Sequence, residues 1–163
     1  MAEPQTRLGS GFDAHRFGTS PPVLLCGIEV DQSRGVEATS DGDVAAHAVM
    51  DALLGAVAMG DVGDLYPGDD PEVHGADSMQ LLAQVVGRIG DAGFGVGNVD
   101  VTVIAETVKV APHRQAMRAA LAETLGVDLD AVSVKATTTD RMGAIGRDEG
   151  IAAAATVLLV SPA

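Results

Sequence analysis

Asp13 and His15 stand two residues apart in the segment GFDAHRF, residues 11 to 17. In an extended strand, residues two apart project from the same face, so this carboxylate and this imidazole are aimed at one place. His47, in SDGDVAAHAVMD, is a third candidate ligand. Two imidazoles and one carboxylate suit zinc with its fourth position open, and manganese or iron also accept such a set. An open position is what a catalytic metal needs and a structural one lacks. Asp43 and Asp51 lie four residues before and after His47 on one flank of a helix, where either can orient the imidazole from behind; Asp51 is the expected partner. The competing reading is that D-x-H plus a remote histidine arises by chance, and that an isolated histidine is a hydrogen-bonded core group. His74, in a loop, and His113, at a helix start, are read in that way, as solvated or backbone-bonded.

A second stretch, VKATTTDRMG at 134 to 143, ends a strand with three threonines where a charged loop begins. Hydroxyls and free N–H groups at a strand terminus are a common arrangement for gripping phosphate. The alternative is that threonine is there for its β-propensity. Cys26, in VLLCGIEV, reads as a small core residue. As the only cysteine it allows no intrachain disulfide, which fits a reducing compartment.

These groups need a scaffold. Residues 6 to 13 read as a strand and VLLCGIEV as a hairpin or two strand pieces around Gly27. The stretch TSDGDVAAHAVMDALLGAVAMGD changes period: Ser40 or Asp41 caps, Asp43 lies in the first turn, and Val44, Ala48, Ala52 and Ala56 recur at helical spacing. GDVGDLYPGDDPEVHGADS, rich in Gly, Asp and Pro, reads as a long functional loop. A helix follows over 77 to 91, then the strand NVDVTVIAE. The next helix, APHRQAMRAALAETLG, has Pro112 in its first turn and Gly126 after its end. Two strands, AVSVKATTT and IAAAATVLLV, finish the chain around the polar loop DRMGAIGRDEG. The pattern predicts an α+β sandwich in a single domain over 1–163, one sheet with helices on one face. The strand over 151 to 160 is apolar throughout and needs both faces buried, so the open sheet faces of several copies are expected to meet.

The chain of 163 residues, 47% apolar and 2% aromatic, can bury one core of aliphatic side chains. A net charge of −13 excludes a nucleic-acid-coating surface. The charge is uneven: residues 1 to 100 hold sixteen acidic and four basic side chains, residues 101 to 163 seven and six. The C-terminal third is therefore the better place for an anion. The segment MAEPQTRLG has no apolar core of a secretory signal, and the longest apolar run, 151 to 160, is too short to span a bilayer as a helix. A cytoplasmic protein without a membrane partner is expected.

The segments GFDAHRF, SDGDVAAHAVMDALLGA, GDVGDLYP, GADS, GNVDVTVIAE and VKATTTD, in this order from about Arg7 to Val160, resemble the signature segments of the 2-C-methyl-D-erythritol 2,4-cyclodiphosphate synthase family. The resemblance implies a lyase of the non-mevalonate isoprenoid pathway. Its reaction turns 4-diphosphocytidyl-2-C-methyl-D-erythritol 2-phosphate into a cyclic diphosphate and CMP through attack of the substrate's own 2-phosphate. That agrees with the lack of a credible nucleophilic triad. It implies a homotrimer with sites at subunit interfaces, zinc on Asp13, His15 and His47, and magnesium or manganese bridging the substrate diphosphate through Asp140. It further implies that Ala105 to Ala111, with Lys109 and Val110 among them, cradle the cytosine; that Asp61 and Gly63 hold the ribose; and that Thr137 and Thr138 grip the diphosphate, Thr138 donating to developing charge. Thr39 and Ser40 would face the phosphates, and Tyr66, Asp69 and Asp70 the rest of the substrate. Phe12, Arg147 and Glu149 resemble family residues near the trimer axis, where a prenyl diphosphate would bind.

The chain departs from the family pattern at Thr39, where histidine is common, at Gly68, where an aspartate is expected, and at Asp140, where glutamate is usual. Val108 stands in place of a frequent proline and Ala144 in place of an aromatic residue. None of these removes a metal ligand. Competing functions are a binding module without turnover, a metal-dependent phosphohydrolase that activates water, and a trimeric scaffold without metal.

Overall fold

A computed structural model describes residues 4–161. Of the N-terminal segment read above for a signal, residues 1–3 lie outside that range. The main sheet has five strands in the order β4-β1-β7-β5-β6, built from β1 (Thr6–Gly18), β4 (Gly35–Val36), β5 (Gly95–Ile104), β6 (Val132–Thr137) and β7 (Gly150–Val160). β2 (Val23–Leu25) and β3 (Ile28–Asp31) pair as a separate hairpin. The helices are α1 (Val44–Ala56), α2 (Val62–Leu65), α3 (Ser78–Asp91), α4 (Arg114–Leu125) and α5 (Gly143–Gly146). α1 packs on β1 and β7, and α3 packs on α1. The mixed sheet with its helices is the expected α+β sandwich.

The contact between α1 and β1 makes the site. Along β1, Gly9, Gly11, Asp13, His15 and Phe17 alternate inward while Leu8, Ser10, Phe12 and Ala14 point out. A Cβ at Gly9 or Gly11 would collide with the carbonyl oxygen of Ala52 or Ala48, so the helix backbone lies directly on the strand. Glycines on β1 and alanines on α1 permit that approach. β1 pairs antiparallel with β7, Asp13 opposite Ala153 and His15 opposite Ile151. The core beneath is aliphatic, with Leu53, Leu54, Leu82, Ile89, Val101 and Leu159 fully or almost fully buried.

The cap of α1 is Asp43, where Ser40 or Asp41 was expected and Asp43 was placed in the first turn. Its carboxylate accepts from the Ala46 amide at 2.9 Å and from the Gly27 amide at 2.7 Å. The turn of the β2–β3 hairpin and a buried helix end thus share one acceptor, which settles the cap by tertiary contact. The expected loops each hold one short helix, α2 and α5. α4 begins three residues later than read, because Ala111–His113 around Pro112 form a 3-10 turn. Gly126 ends it in the left-handed conformation at φ 68°, as glycine after a helix does. The sheet's outer face carries Leu8 and Phe12, 71% and 61% exposed.

Candidate active site

Asp13 and His15 project from β1 toward α1, and His47 projects from α1 to meet them. The Oδ2 of Asp13 lies 2.8 Å from His47 Nδ1 and 3.1 Å from His15 Nε2, and the two ring nitrogens are 3.3 Å apart. Among the described residues these form a group of three that can hold a metal ion. A tetrahedral ion with bonds of about 2.0–2.1 Å spaces its ligands about 3.3–3.4 Å apart, so this triangle needs only slight widening. The donor set leaves one position for a substrate oxygen.

Burial opposes charge on Asp13, but hydrogen bonds and the charges of His15 and His47 outweigh it and hold the carboxyl well below the usual carboxylate range. Burial pushes the His47 pKa down, and the bond to Asp13, with the charges of Asp13, Asp43 and Asp41, more than reverses this. The carboxylate is therefore ionised and His47 holds its proton tightly until a cation replaces it.

Behind the triangle the partner of His47 differs from the one expected. The Asp51 carboxylate accepts from the Val62 amide at 2.8 Å and Asp43 caps α1, so their hydrogen bonds go elsewhere. His47 Nε2 instead meets Ser78 Oγ at 2.9 Å and Ser40 Oγ at 3.1 Å. Ser78 Oγ donates to the Asp41 carboxylate, which also accepts from the Ser78 amide at 2.9 Å. With its hydroxyl proton given to Asp41, Ser78 accepts from Nε2–H, so that once a cation displaces the proton at Nδ1 its lone pair faces the triangle. Ser78 is fully buried at the first residue of α3. No spacing rule links positions 41, 47 and 78, so only tertiary structure reveals this relay.

A cleft of about 220 Å³ opens beside the three ligands, with Thr39, Ser40, Tyr66 and Gly68 on its walls. A Cβ at Gly68 would stand 3.7 Å from Thr39 Oγ1, so these two positions of the cleft wall are in contact range. Tyr66 donates its hydroxyl to Gln84 Oε1 at 2.9 Å. Asp61 caps α2, accepting from the Asp64 amide at 3.0 Å, with Gly63 inside the helix. Asp69 and Asp70 lie outside the lining of this cleft, and Asp70 accepts from the Glu72 amide at 2.9 Å.

A second cleft of about 450 Å³ lies at the C-terminal ends of the parallel strands β5 and β6, lined by Ala105, Lys109, Val110, Ala111, Thr137 and Thr138 among others. Ligands commonly settle at such strand ends. Thr138 Oγ1 accepts the Asp140 amide at 3.1 Å, which leaves its own O–H free to donate. Asp140 and Arg141 follow each other at φ 54° and 63°, left-handed for two successive side-chain-bearing residues. Such strain is held where surrounding structure dictates loop shape. No described residue lines both clefts. Arg147 is outside both; it donates to Glu149 Oε1 at 2.6 Å.

With this geometry in hand, the chain can be set beside known proteins. The profile of the YgbB family matches residues 6–160. A protein of Ectopseudomonas mendocina named 2-C-methyl-D-erythritol 2,4-cyclodiphosphate synthase is 53% identical over 154 residues, covering 94% of this chain and 98% of the relative. The solved structure of the bifunctional IspDF from Campylobacter jejuni is 42% identical with a TM-score of 0.95; the match covers 98% of this chain, which spans 43% of that longer one. The structure of Plasmodium falciparum IspF in a CDP complex is 28% identical with a TM-score of 0.84, covering 97% of each. A match over nearly the full length in sequence and in fold leaves one conclusion: the chain belongs to the YgbB family.

Proposed function

We propose that the chain converts 4-diphosphocytidyl-2-C-methyl-D-erythritol 2-phosphate into 2-C-methyl-D-erythritol 2,4-cyclodiphosphate and CMP. The observation that carries this reading is the Asp13–His15–His47 cluster in a chain 53% identical to a synthase of that name. The CDP held by the Plasmodium falciparum relative supports a cytidine diphosphate-linked substrate.

The reaction needs no protein nucleophile. An oxygen of the substrate's 2-phosphate bonds to the β-phosphorus, the bond from that phosphorus to the bridging oxygen breaks, and CMP departs with that oxygen. The chain's task is positioning and neutralising charge. Backbone groups of residues 105 to 111 hold the cytosine, with Lys109 at their centre. Asp61 and Gly63 hold the ribose, and Thr137 and Thr138 the diphosphate, the free O–H of Thr138 donating to it. Thr39 and Ser40 donate from the metal cleft and Tyr66 faces the methylerythritol, which Asp69 and Asp70 approach from beyond the cleft wall at Gly68. When bound, zinc on Asp13, His15 and His47 supplies Lewis acidity, and magnesium or manganese beside Asp140 supplies charge neutralisation at the diphosphate.

Each site is shared between neighbouring copies of a cytoplasmic homotrimer. The separation of the two clefts and the exposed outer sheet face, with Leu8 and Phe12, support that arrangement. Phe12, Arg147 and Glu149 then lie toward the trimer axis, where a prenyl diphosphate binds. No helix among the described residues is long and apolar enough to cross a membrane. The deciding experiment incubates the purified protein with the cytidyl substrate, zinc and magnesium and follows products by liquid chromatography with mass detection. Cyclic diphosphate and CMP in equal amounts are expected; CMP with a linear 2,4-bisphosphate would indicate hydrolysis instead.

A further inference from the structure

Arg34 lies just before β4, far in sequence from the nucleotide cleft, yet its guanidinium joins three segments at once. Nε donates to Asp31 at 3.0 Å, Nη1 to Asp148 Oδ2 at 2.7 Å, and Nη2 to the hydroxyl of Thr107. Thr107 in turn donates to Asp148 Oδ1 at 2.8 Å, closing a ring of three side chains. The guanidinium carbon sits 3.7 Å from the centroid of the Phe17 ring, which holds the arginine from one face. Asp148 keeps a left-handed backbone at φ 59°, a conformation unfavourable for a residue with a side chain.

The third member, Thr107, belongs to the segment assigned to the base. Between the end of β5 and the turn at Ala111 the chain has no regular structure. Among the described residues, the amides and carbonyls of residues 106 to 109 make no backbone–backbone hydrogen bond. A segment that reads a base through its backbone must keep those groups unpaired and still hold one shape. Side chains then have to fix it, and Thr107 is gripped from two sides.

We propose that Arg34 is a positioning residue for the nucleotide cleft: with Asp148 it clamps Thr107 and so holds residues 105 to 111 in the shape that receives a cytidine nucleotide. The inference rests on the function proposed above, which makes that nucleotide the ligand. Arginine fits the role because its fork serves Asp31, Asp148 and Thr107 together; the point charge of lysine cannot.

The test is calorimetric titration of the full-length, metal-loaded protein with CDP, beside steady-state kinetics, for the wild type and for Arg34→Met, Arg34→Lys, Thr107→Val and Asp148→Gly. If the loosened segment holds the competent shape about one-tenth of the time, the apparent Kd for CDP rises about tenfold. KM should rise with it while kcat and zinc content stay near wild type, with Arg34→Lys between Arg34→Met and wild type. Asp148→Gly separates the clamp from general stability, since glycine accepts φ 59° freely: its Tm should hold or rise while its CDP affinity falls. Wild-type CDP affinity in Thr107→Val and Asp148→Gly overturns the proposal, as does a loss of affinity matched by an equal loss of kcat and zinc. A wild-type protein that neither binds CDP nor forms the cyclic product removes the functional reading, and this inference with it.

Discussion

His47 is held at both ring nitrogens, and the two contacts have different consequences. Nδ1 faces Asp13 and His15; Nε2 faces Ser78, itself tied to Asp41. Ser78→Ala should therefore weaken zinc binding by about 10- to 100-fold, the usual effect of losing a partner behind a ligand. Asp51→Ala should leave zinc affinity within a few-fold, because Asp51 serves the Val62 amide. Competition with a chromogenic chelator checks both, and the reverse order would show that Asp51 is the orienting group. The pH dependence follows from the same contacts. His47 keeps its proton above the ordinary imidazole value of about 6.5, so zinc must expel it, and affinity should fall by up to about tenfold per unit as pH drops through that range. In the metal-free protein the sign is opposite for the two partners. The stabilisation from His47 is complete below about pH 6.5 and lost as pH rises through its raised pKa; that from Asp13 is complete above about pH 3.9 and lost as pH falls through its lowered one. For Asp140, Asp140→Ala should raise the magnesium concentration for half-maximal rate and leave zinc content unchanged. An unaltered magnesium response would show that this carboxylate does not reach the ion. The pairing of Asp13 with His15 was legible in sequence, because strand alternation aims them together whatever the tertiary fold; that His47 joins them depends on how α1 docks. The Asp41–Ser78 relay was not, because it joins groups brought close only when α3 docks on α1.

At the scale of elements, the site depends on how closely α1 lies on β1. Gly11 faces the carbonyl of Ala48, the residue next to His47, with no room for a side chain. Gly11→Ala must lift the helix, which should cost about 1–3 kcal/mol and weaken zinc binding together. Gly87 in α3 has nothing within 4 Å of an added Cβ, so Gly87→Ala should stabilise by about 0.4–1 kcal/mol and leave zinc affinity alone. Denaturant unfolding and chelator competition on both variants decide whether helix approach sets the metal site; a Gly11→Ala protein with wild-type zinc affinity would detach the two. The main strands and the three longer helices were legible from periodicity and end signals such as Gly126. The short helices α2 and α5 were not, since four residues show no period; α2 rests on its Asp61–Asp64 cap, and α5 has no side-chain cap at all. The cap of α1 was misplaced for a related reason: Ser40, Asp41 and Asp43 all have capping side chains, and the Gly27 amide of a distant hairpin selects Asp43.

For the whole molecule, the single chain carries two clefts that share no described lining residue. The metal ligands line one cleft and Thr138 the other, and the outer sheet face beside them is left with Leu8 and Phe12 in the open. The apolar run of β7 leads to the expectation that copies cover this face, but no sequence pattern states how many. In a cyclic trimer every interface is heterologous, so one subunit can present its metal ligands to the nucleotide cleft of the next. Two inactive variants test this directly: His47→Ala, without the metal, and Thr138→Val, without the donated hydrogen bond. Unfolded together in equal amounts and refolded, they should regain activity, because about one interface in four pairs the intact metal half of one chain with the intact threonine half of its neighbour. Refolding each alone should restore nothing. Native mass spectrometry establishes that mixed assemblies have formed. If mixed trimers form and remain wholly inactive, each site must be completed within one chain, and the two clefts must then be joined by a rearrangement within that chain.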